Sequence, residues 1–306
     1  MVKNIEIKKI GGSQQNTYVD CLTSINEISA RAYDRKIIVV LSAPGKTTKD
    51  IYDLIWDRVG VDKARVACNR VGKYFKEKIS KESLTHLKNQ RSRDLLSIRW
   101  DEAFDFWKLK IKDMSSRNQV CWRKGILTLG EIYQIILVQL MFSEEGLEVE
   151  TALNDEYFFR QIIADPDKNT IYNRTYRNIR SWDFLKNDSI VALVPGFAAV
   201  IHGHDKQWGI TNLGLEGSDE TGLIFLKALH GRYNRVSLIF HKSIGREQLD
   251  GLESIDSTTE FRGKPLLGKQ STSFIKKYAK EGWRVYLGIP GYLHPFQYFK
   301  MKVNKT

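Results

Sequence analysis

Lys36-Ile37-Ile38-Val39-Val40-Leu41-Ser42-Ala43-Pro44-Gly45-Lys46-Thr47-Thr48 is the stretch from which the fold can be read. Ile37 to Leu41 is a continuous apolar run without polar alternation, the pattern of a strand buried on both faces. It passes straight into a polar turn that carries Pro44 and Gly45. Beyond the turn Ile51, Leu54, Ile55 and Val59 recur at helical spacing. Strand, glycine turn, helix is a βα unit, and such units carry functional loops at the C-terminal ends of their strands.

Working outward, the same grammar recurs. Ile5 to Ile10 reads as a first strand that ends in Lys9-Ile10-Gly11-Gly12-Ser13. The glycine pair makes a tight turn whose backbone can face a phosphate, with Lys9 as the charge. Further on, Gly130-Glu131 opens a strongly apolar helix through Ile132, Ile135, Ile136, Val138, Leu140 and Met141. A carboxylate there either suits the helix dipole or is a functional acid facing a cleft. An apolar strand at residues 190–194 leads through Pro195-Gly196-Phe197 toward Gly209-Ile210-Thr211-Asn212-Leu213-Gly214-Leu215-Glu216-Gly217-Ser218-Asp219-Glu220-Thr221. Glycines, then Ser-Asp, then an apolar helix (Leu223, Ile224, Leu226, Leu229) is a start signal, and Ser218 or Asp219 can cap it. Such a helix start suits an anion, and a capped surface turn is the plain alternative. Residues 236–240 and 285–287 read as later strands. Together these give an α/β fold with a mainly parallel sheet.

The remaining stretches read as scaffold. Residues 62–124 are helical in period and charged, and Trp100, Phe104 and Trp107 fall at core spacing rather than forming a stacking platform. Pro166 between Asp165 and Asp167 marks a loop. His202-x-His204 suggests metal ligands, but its polar Gly-His-Asp setting favours a solvated hairpin tip. Residues 288–295 read as a loop that packs the C-terminus.

A chain of 306 residues with 42% apolar and 27% charged content is an ordinary globular composition with room for a large core. No apolar run reaches the roughly 20 residues of a membrane span. The first ten residues lack a secretory apolar region, so no export signal is expected. Cys21, Cys68 and Cys121 are scattered, without metal-ligand pairing, which points to a reducing cytoplasmic setting. The net charge of +12 favours polyanionic partners in general, phosphate-bearing small molecules included. No nucleic-acid-binding signature accompanies it, so no nucleic-acid partner is expected.

Read together, the turns resemble aspartokinases. Lys9-Ile10-Gly11-Gly12-Ser13 is similar to their Lys-Phe-Gly-Gly-Ser/Thr, and Ser42-Ala43-Pro44-Gly45-Lys46-Thr47-Thr48 to their Ser-Ala-x-Gly-Lys-Thr-Thr. Leu129-Gly130-Glu131 resembles their Phe-Gly-Glu, and Val194-Pro195-Gly196-Phe197 their Val-Thr-Gly-Phe. Thr211 to Asp219 resembles their Thr-Thr-Leu-Gly-Arg-Gly-Gly-Ser-Asp. Five motifs in the family's order cover residues 3 to about 288, one catalytic domain of the amino-acid kinase superfamily.

The resemblance implies a three-layer sandwich with a mainly parallel sheet between helices, as a single domain over 1–306. It implies an acceptor lobe over about 1–188 and a nucleotide lobe over about 189–306. The implied reaction is transfer of the γ-phosphoryl group of ATP, with Mg²⁺, to the carboxylate of an amino acid or a small related acid. Carried over by position, Lys9 neutralises charge on the phosphoryl group and Asp219 orients Lys9. Gly11, Gly12 and Ser13 give N–H donors to phosphates. Ser42, Thr48 and Glu131 line the amino-acid site, with Glu131 suited to an ammonium, and Ser218 contacts the acceptor. Phe197 and Leu215 fall among the substrate-binding positions, and Gly214, Gly217, Lys242 and Gly245 among the nucleotide- or phosphate-binding ones. No metal ligand set within the protein is implied. A homodimer is expected from the family.

The departures lie in specific places. Leu215-Glu216 replaces the family's Arg-Gly, which removes a bidentate partner for an acidic side chain. Phe240-His241-Lys242-Ser243-Ile244-Gly245 stands where the family has Trp-Thr-Asp-Val-Asp-Gly, so both acids are gone. The regulatory ACT domains that usually follow are not expected here. Two readings remain, an active kinase and a pseudokinase or binding subunit. For the first, Lys9→Ala or Asp219→Ala is expected to lower turnover by orders of magnitude with little change in thermal midpoint.

Overall fold

In the computed structural model the apolar run of residues 37–41 is the strand it promised, with every residue at 1% exposure or less. Its side chains alternate between two cores: Ile37, Val39 and Leu41 join one apolar cluster and Ile38 and Val40 the other. A strand covered on both faces has no reason to carry polar residues, hence the unbroken run.

The structure describes residues 4–32, 35–45, 47, 61–112, 125–153, 161–164, 170–202, 208–213, 217–241, 260–261, 264–265, 274, 283–288 and 299–300. The chain begins with β1 (Asn4–Ile10), α1 (Tyr18–Arg31) and β2 (Lys36–Leu41). A helical block follows: α2 (Val61–Tyr74), α3 (Ser80–His86), α4 (Gln90–Lys112) and α5 (Leu129–Glu144). Then come β3 (Val149–Thr151), α6 (Tyr172–Ser181), β4 (Val191–Pro195), β5 (Ala198–His202), β6 (Trp208–Asn212) and α7 (Gly217–Leu229). The last part holds β7 (Arg235–His241), β8 (Glu260–Phe261), β9 (Lys264–Pro265), β10 (Arg284–Gly288) and β11 (Phe299–Lys300).

The main sheet runs β3-β4-β2-β1-β7-β10-β11; its first six strands are parallel and β11 is antiparallel to β10. One core packs α1, α2, α4 and α5 on one face of it, and the other packs α6 and α7 on the opposite face. This is the expected three-layer α/β sandwich. β5 and β6 form a separate antiparallel hairpin, Ala198 opposite Asn212, that the sequence reading did not resolve into strands. His202 ends β5, and residues 203–207 lie outside the described residues.

Trp100 and Trp107 are buried core residues, as their spacing indicated, and Phe104 packs against the same cluster. Trp100 donates from its indole to the Tyr133 carbonyl at 3.1 Å, which ties α4 to α5. Cys21 and Cys68 are buried free thiols, both pushed up to about 12 chiefly by desolvation. They are packing residues at neutral pH. Cys121 and the loop around Pro166 lie outside the described residues, as do all of residues 288–295 except Gly288.

β1 departs from the apolar rule. Its odd-numbered Ile5, Ile7 and Lys9 face the α7 side, while Glu6, Lys8 and Ile10 face the α1 side. Lys8, fully buried, pairs with Glu27 of α1 at 2.6 Å and with Glu6 at 3.6 Å. Arg31 and Arg35 reach Glu6 at 3.5 and 3.2 Å. His241, at the end of β7, approaches Glu27 at 3.9 Å. Burial pushes the imidazole down to about 4, against the opposing pull of Glu27, so it is neutral at pH 7. This polar block fastens α1 to the two central strands.

Candidate active site

Because the strands are parallel, their C-terminal ends share one edge. Pro195, Leu41, Ile10, His241 and Gly288 form a single row of Cα partners across β4, β2, β1, β7 and β10. The motif turns after β1, β2 and β4 leave the sheet from this row, so they meet although they are distant in sequence, and the opening turns of α5 and α7 pack against them. Their backbones are stitched together: Gly196 N–H donates to Leu41 O at 2.7 Å, Ser42 N–H to Ile10 O at 3.2 Å, and Gly45 N–H to Gly12 O at 3.0 Å. Gln15 Nε2 spans two turns, donating to Ile10 O and Ser42 O at 3.1 Å each.

Glycines are required where the turns touch. A Cβ on Gly12 would lie 2.1 Å from the Ala43 carbonyl oxygen, and one on Gly130 2.6 Å from Ala43 Cβ. One on Gly196 would meet Leu41 O and Ser218 Cβ at 2.8 Å, and one on Gly217 would meet Leu213 Cβ at 2.7 Å and Phe197 at 3.0 Å. These contacts are shorter than side chains tolerate, so the Gly-Gly, Ala-Pro-Gly, Gly-Glu, Gly-Phe and Gly-Ser-Asp turns interlock through missing side chains. Phe197 carries a further mark of constraint, a φ of 76° at a non-glycine residue. Its N–H is held by Thr221 Oγ1 at 3.2 Å and its carbonyl by Leu213 N–H at 2.9 Å. Such backbone costs about 1–3 kcal/mol and persists where the surroundings fix it.

Lys9 and Asp219 meet within this ring of turns, Nζ to Oδ1 at 2.6 Å, with side chains 10% and 8% exposed. Strand alternation aims Lys9 at α7, whose first turn presents Asp219. Gly217 already belongs to that turn, so Ser218 and Asp219 lie inside the helix and are not its cap, contrary to the sequence expectation. Desolvation pushes the carboxyl of Glu220, beside Asp219, up to about 7.

Glu131, the third residue of α5, is 2% exposed. Desolvation pushes its carboxyl up to about 8, although hydrogen bonds from its own N–H and that of Ala43, and the Lys9 charge, pull the other way. Its Oε2 is buried without a hydrogen-bond partner. Burial therefore outweighs the helix dipole, and the group is mostly neutral at pH 7.

The structure thus gathers Lys9, Gly11, Gly12, Ser13, Ser42, Glu131, Phe197, Gly217, Ser218 and Asp219 at one edge. Thr48, Gly214, Leu215, Lys242 and Gly245 lie outside the described residues. Two points differ from expectation. The Gly11 N–H is already engaged, donating to Gln14 Oε1 at 3.1 Å, and is not an open donor. Gln14 and Gln15, both buried, wall the turn and were not singled out, because a Gln-Gln pair in a turn carries no sequence rule.

The turn leaves a small space beside Gly11. A Cβ there would fill a space edged by Gln14 Oε1 at 3.6 Å, His241 O at 3.7 Å and Lys9 Nζ at 3.8 Å. For a divalent cation, the described residues hold no group of three His, Cys, Asp or Glu placed as ligands. Mg²⁺ commonly takes one or two carboxylates plus substrate phosphates, and the carboxylate that would be available to it here is Asp219.

No family model and no curated protein matches the sequence. Solved structures do resemble the fold. Aspartokinase III of E. coli, in complex with lysine and aspartate in the T-state, superposes with a TM-score of 0.71 at 13% identity, over 99% of this chain and 65% of that one. The R-state of that enzyme, with aspartate and ADP, gives 0.68 at 13% identity over 97% and 65%. Aspartate kinase of Clostridium acetobutylicum gives 0.58 at 15% identity over 99% and 64%. The chain shares the α/β fold of these structures and spans a little under two thirds of their length. At such identities the likeness is one of fold. No described helix is long and apolar enough to cross a membrane.

Burial of the Lys9–Asp219 pair changes the expectation for its variants. Removing one partner strands a buried charge, at about 3–5 kcal/mol. Lys9→Ala and Asp219→Ala should therefore each lower the thermal midpoint, while Lys9→Met with Asp219→Leu should recover most of the loss. Thermal melts of the three variants check this; equal losses in single and double variants would mean the pair is not coupled. Glu131 gives a pH signature. The unfolded chain ionises this carboxyl near 4.5 and the folded protein near 8, so folding retains a proton and stability falls as pH rises between those values. Denaturant unfolding from pH 5 to 8 should show Glu131→Gln gaining on the unaltered protein with rising pH. A difference independent of pH would contradict the buried neutral acid.

Proposed function

We propose that the chain is an ATP-dependent kinase that phosphorylates the carboxylate of an amino acid or related small acid, giving an acyl phosphate. The observation that carries this reading is the buried Lys9–Asp219 pair beside the Gly11 space, where phosphate charge would be neutralised. Phosphoryl transfer asks a protein for positioning and charge rather than an elaborate nucleophile. A carboxylate acceptor is ionised at pH 7 and needs no general base. Its oxygen forms the new bond to the γ-phosphorus as the bond to the bridging oxygen breaks and ADP leaves.

In this reading Lys9 swings its ammonium from Asp219 toward the phosphoryl oxygens. Asp219 positions Lys9 before the phosphate arrives, and is the carboxylate that would share Mg²⁺ with the phosphates; the ion would supply further neutralisation of phosphate charge. The Gly11–Gly12 turn leaves room for the phosphate chain. Ser42, Thr48, Glu131, Phe197 and Ser218 belong to the acceptor side. Glu131, neutral when the site is dry, would release its proton on receiving the acceptor's ammonium. Leu215 and Glu216 in place of Arg-Gly disfavour an acidic acceptor side chain. Gly214, Gly217, Lys242 and Gly245 belong to the nucleotide side. The division into acceptor and nucleotide lobes near residue 188, a homodimer and cytoplasmic residence are parts of the same proposal. The resemblance in fold to aspartokinases, one of them bound to aspartate and ADP, supports it.

The alternative, a nucleotide- or amino-acid-binding subunit without turnover, draws on the loss of both acids from the segment 240–245. The test is ATP consumption with Mg²⁺ and hydroxylamine across the proteinogenic amino acids and small carboxylates. A hydroxamate from one acceptor is the expected result. Thermal stabilisation by Mg-ATP with no hydroxamate from any acceptor would favour the binding subunit.

A further inference from the structure

We propose that Thr221 is a positioning residue for the Lys9–Asp219 pair, fastening the first turn of α7 to the backbone of Phe197. This role deepens the kinase reading and rests on the pair receiving phosphate charge. Among the described residues Phe197 is the only non-glycine one with a positive φ, 76°, and it follows the Gly196 turn at the strand ends. Backbone of this kind is held against a cost and clusters at functional sites. What holds it here is specific. Thr221, fully buried, donates its hydroxyl proton to the Gly217 carbonyl at 2.9 Å. With that proton committed, Oγ1 can only accept, and it accepts the Phe197 N–H at 3.2 Å. A threonine hydroxyl bonded four residues back is ordinary within a helix. Receiving a buried N–H from a constrained turn on another element is not.

The two ends of this link are the parts that need placing. Gly217 and Thr221 bound the turn of α7 that carries Ser218 and Asp219. Phe197 is joined to the sheet through Gly196, whose N–H donates to Leu41 O at 2.7 Å. β2, which ends at Leu41, pairs with β1, which carries Lys9. Lys9 and Asp219 thus sit on separate elements that are bridged through Leu41, Gly196, Phe197 and Thr221. The joint has no slack: a Cβ on Gly217 would stand 3.0 Å from Phe197 Cδ2, and one on Gly196 2.8 Å from Ser218 Cβ. Without the hydroxyl a buried N–H loses its acceptor, and the positive φ loses the bond that fastens it. The turn of residues 196–197 then relaxes and Asp219 moves relative to Lys9. The helix itself stays, because Leu223, Ile224, Phe225 and Leu226 anchor it in the core.

Thr221→Val keeps nearly the same shape and removes the hydroxyl, whereas Thr221→Ser keeps the hydroxyl. In the hydroxamate assay on the full chain, Thr221→Val should lower kcat roughly a hundredfold, the effect of about 1 Å of misplacement, with the KM for ATP nearly unchanged. Thr221→Ser should stay near the unaltered protein. Equal losses in the two variants overturn the proposal; so does a valine variant that melts earlier yet turns over normally. The nitrogen-15 signal of the Lys9 ammonium gives a reading that needs no activity. It should shift in Thr221→Val and hold in Thr221→Ser, and an unmoved signal in Thr221→Val overturns the proposal. Should Thr221→Val not fold, hydrogen exchange of the unaltered protein decides. The Phe197 and Thr221 amides must then open together, and a Phe197 amide that exchanges freely while α7 stays protected breaks the link. A shifted Lys9 signal without hydroxamate from any acceptor removes the kinase reading and keeps the role of Thr221. Hydroxamate formed equally well by all three proteins removes Thr221 alone.

Discussion

The strands of this sheet that carry the motif turns all run the same way, and the site is a consequence of that. Parallel strands end on a common edge, and the row Pro195–Leu41–Ile10–His241–Gly288 is that edge. Each strand that reaches it releases a turn, and the turns pack so closely that glycine is forced at Gly12, Gly130, Gly196 and Gly217. β1 lies between β2 and β7, where the chain, having laid down β2, then β3 at the edge and β4 between them, crosses to the other side of the sheet. Crevices at such reversals are where open α/β sheets bind ligands. The Gly11 turn leaves β1 at this reversal.

Strand alternation divides two adjacent lysines between two roles. Lys8 enters a buried charge cluster with Glu6 and Glu27, and that cluster holds α1 against the sheet. Lys9 faces α7 and meets Asp219. Breaking either pair would strand a charge in a poorly solvated interior. The cluster also supports the site from behind, because His241 shares it by its side chain and borders the Gly11 space by its carbonyl.

Much of this was legible in the sequence, for local reasons. Residues 37–41 could only be a doubly buried strand, and Lys9 stood next to a Gly-Gly turn. The opening of α5 at Gly130-Glu131 followed from apolar periodicity. What was not legible depended on distance. Nothing near Lys8 says that its partner is Glu27, and nothing near Glu131 says that its carboxyl would be dry enough to stay protonated. The short strand β3 and the hairpin β5–β6 owe their form to partners across the fold. Nothing in the sequence marked Gln14, whose burial and bond to Gly11 are set by the folded turn. Leu215-Glu216, which departs from the aspartokinase pattern, lies outside the described residues.

The central claim is that phosphate charge is received at the end of β1, between Lys9 and Gly11. The most direct test is a crystal structure of the chain with Mg²⁺ and an unhydrolysable ATP analogue. The account predicts the terminal phosphate within hydrogen-bonding distance of Lys9 Nζ, in the space beside Gly11. A nucleotide seated elsewhere, with the Lys9–Asp219 pair and the Gly11 space unchanged, would contradict it.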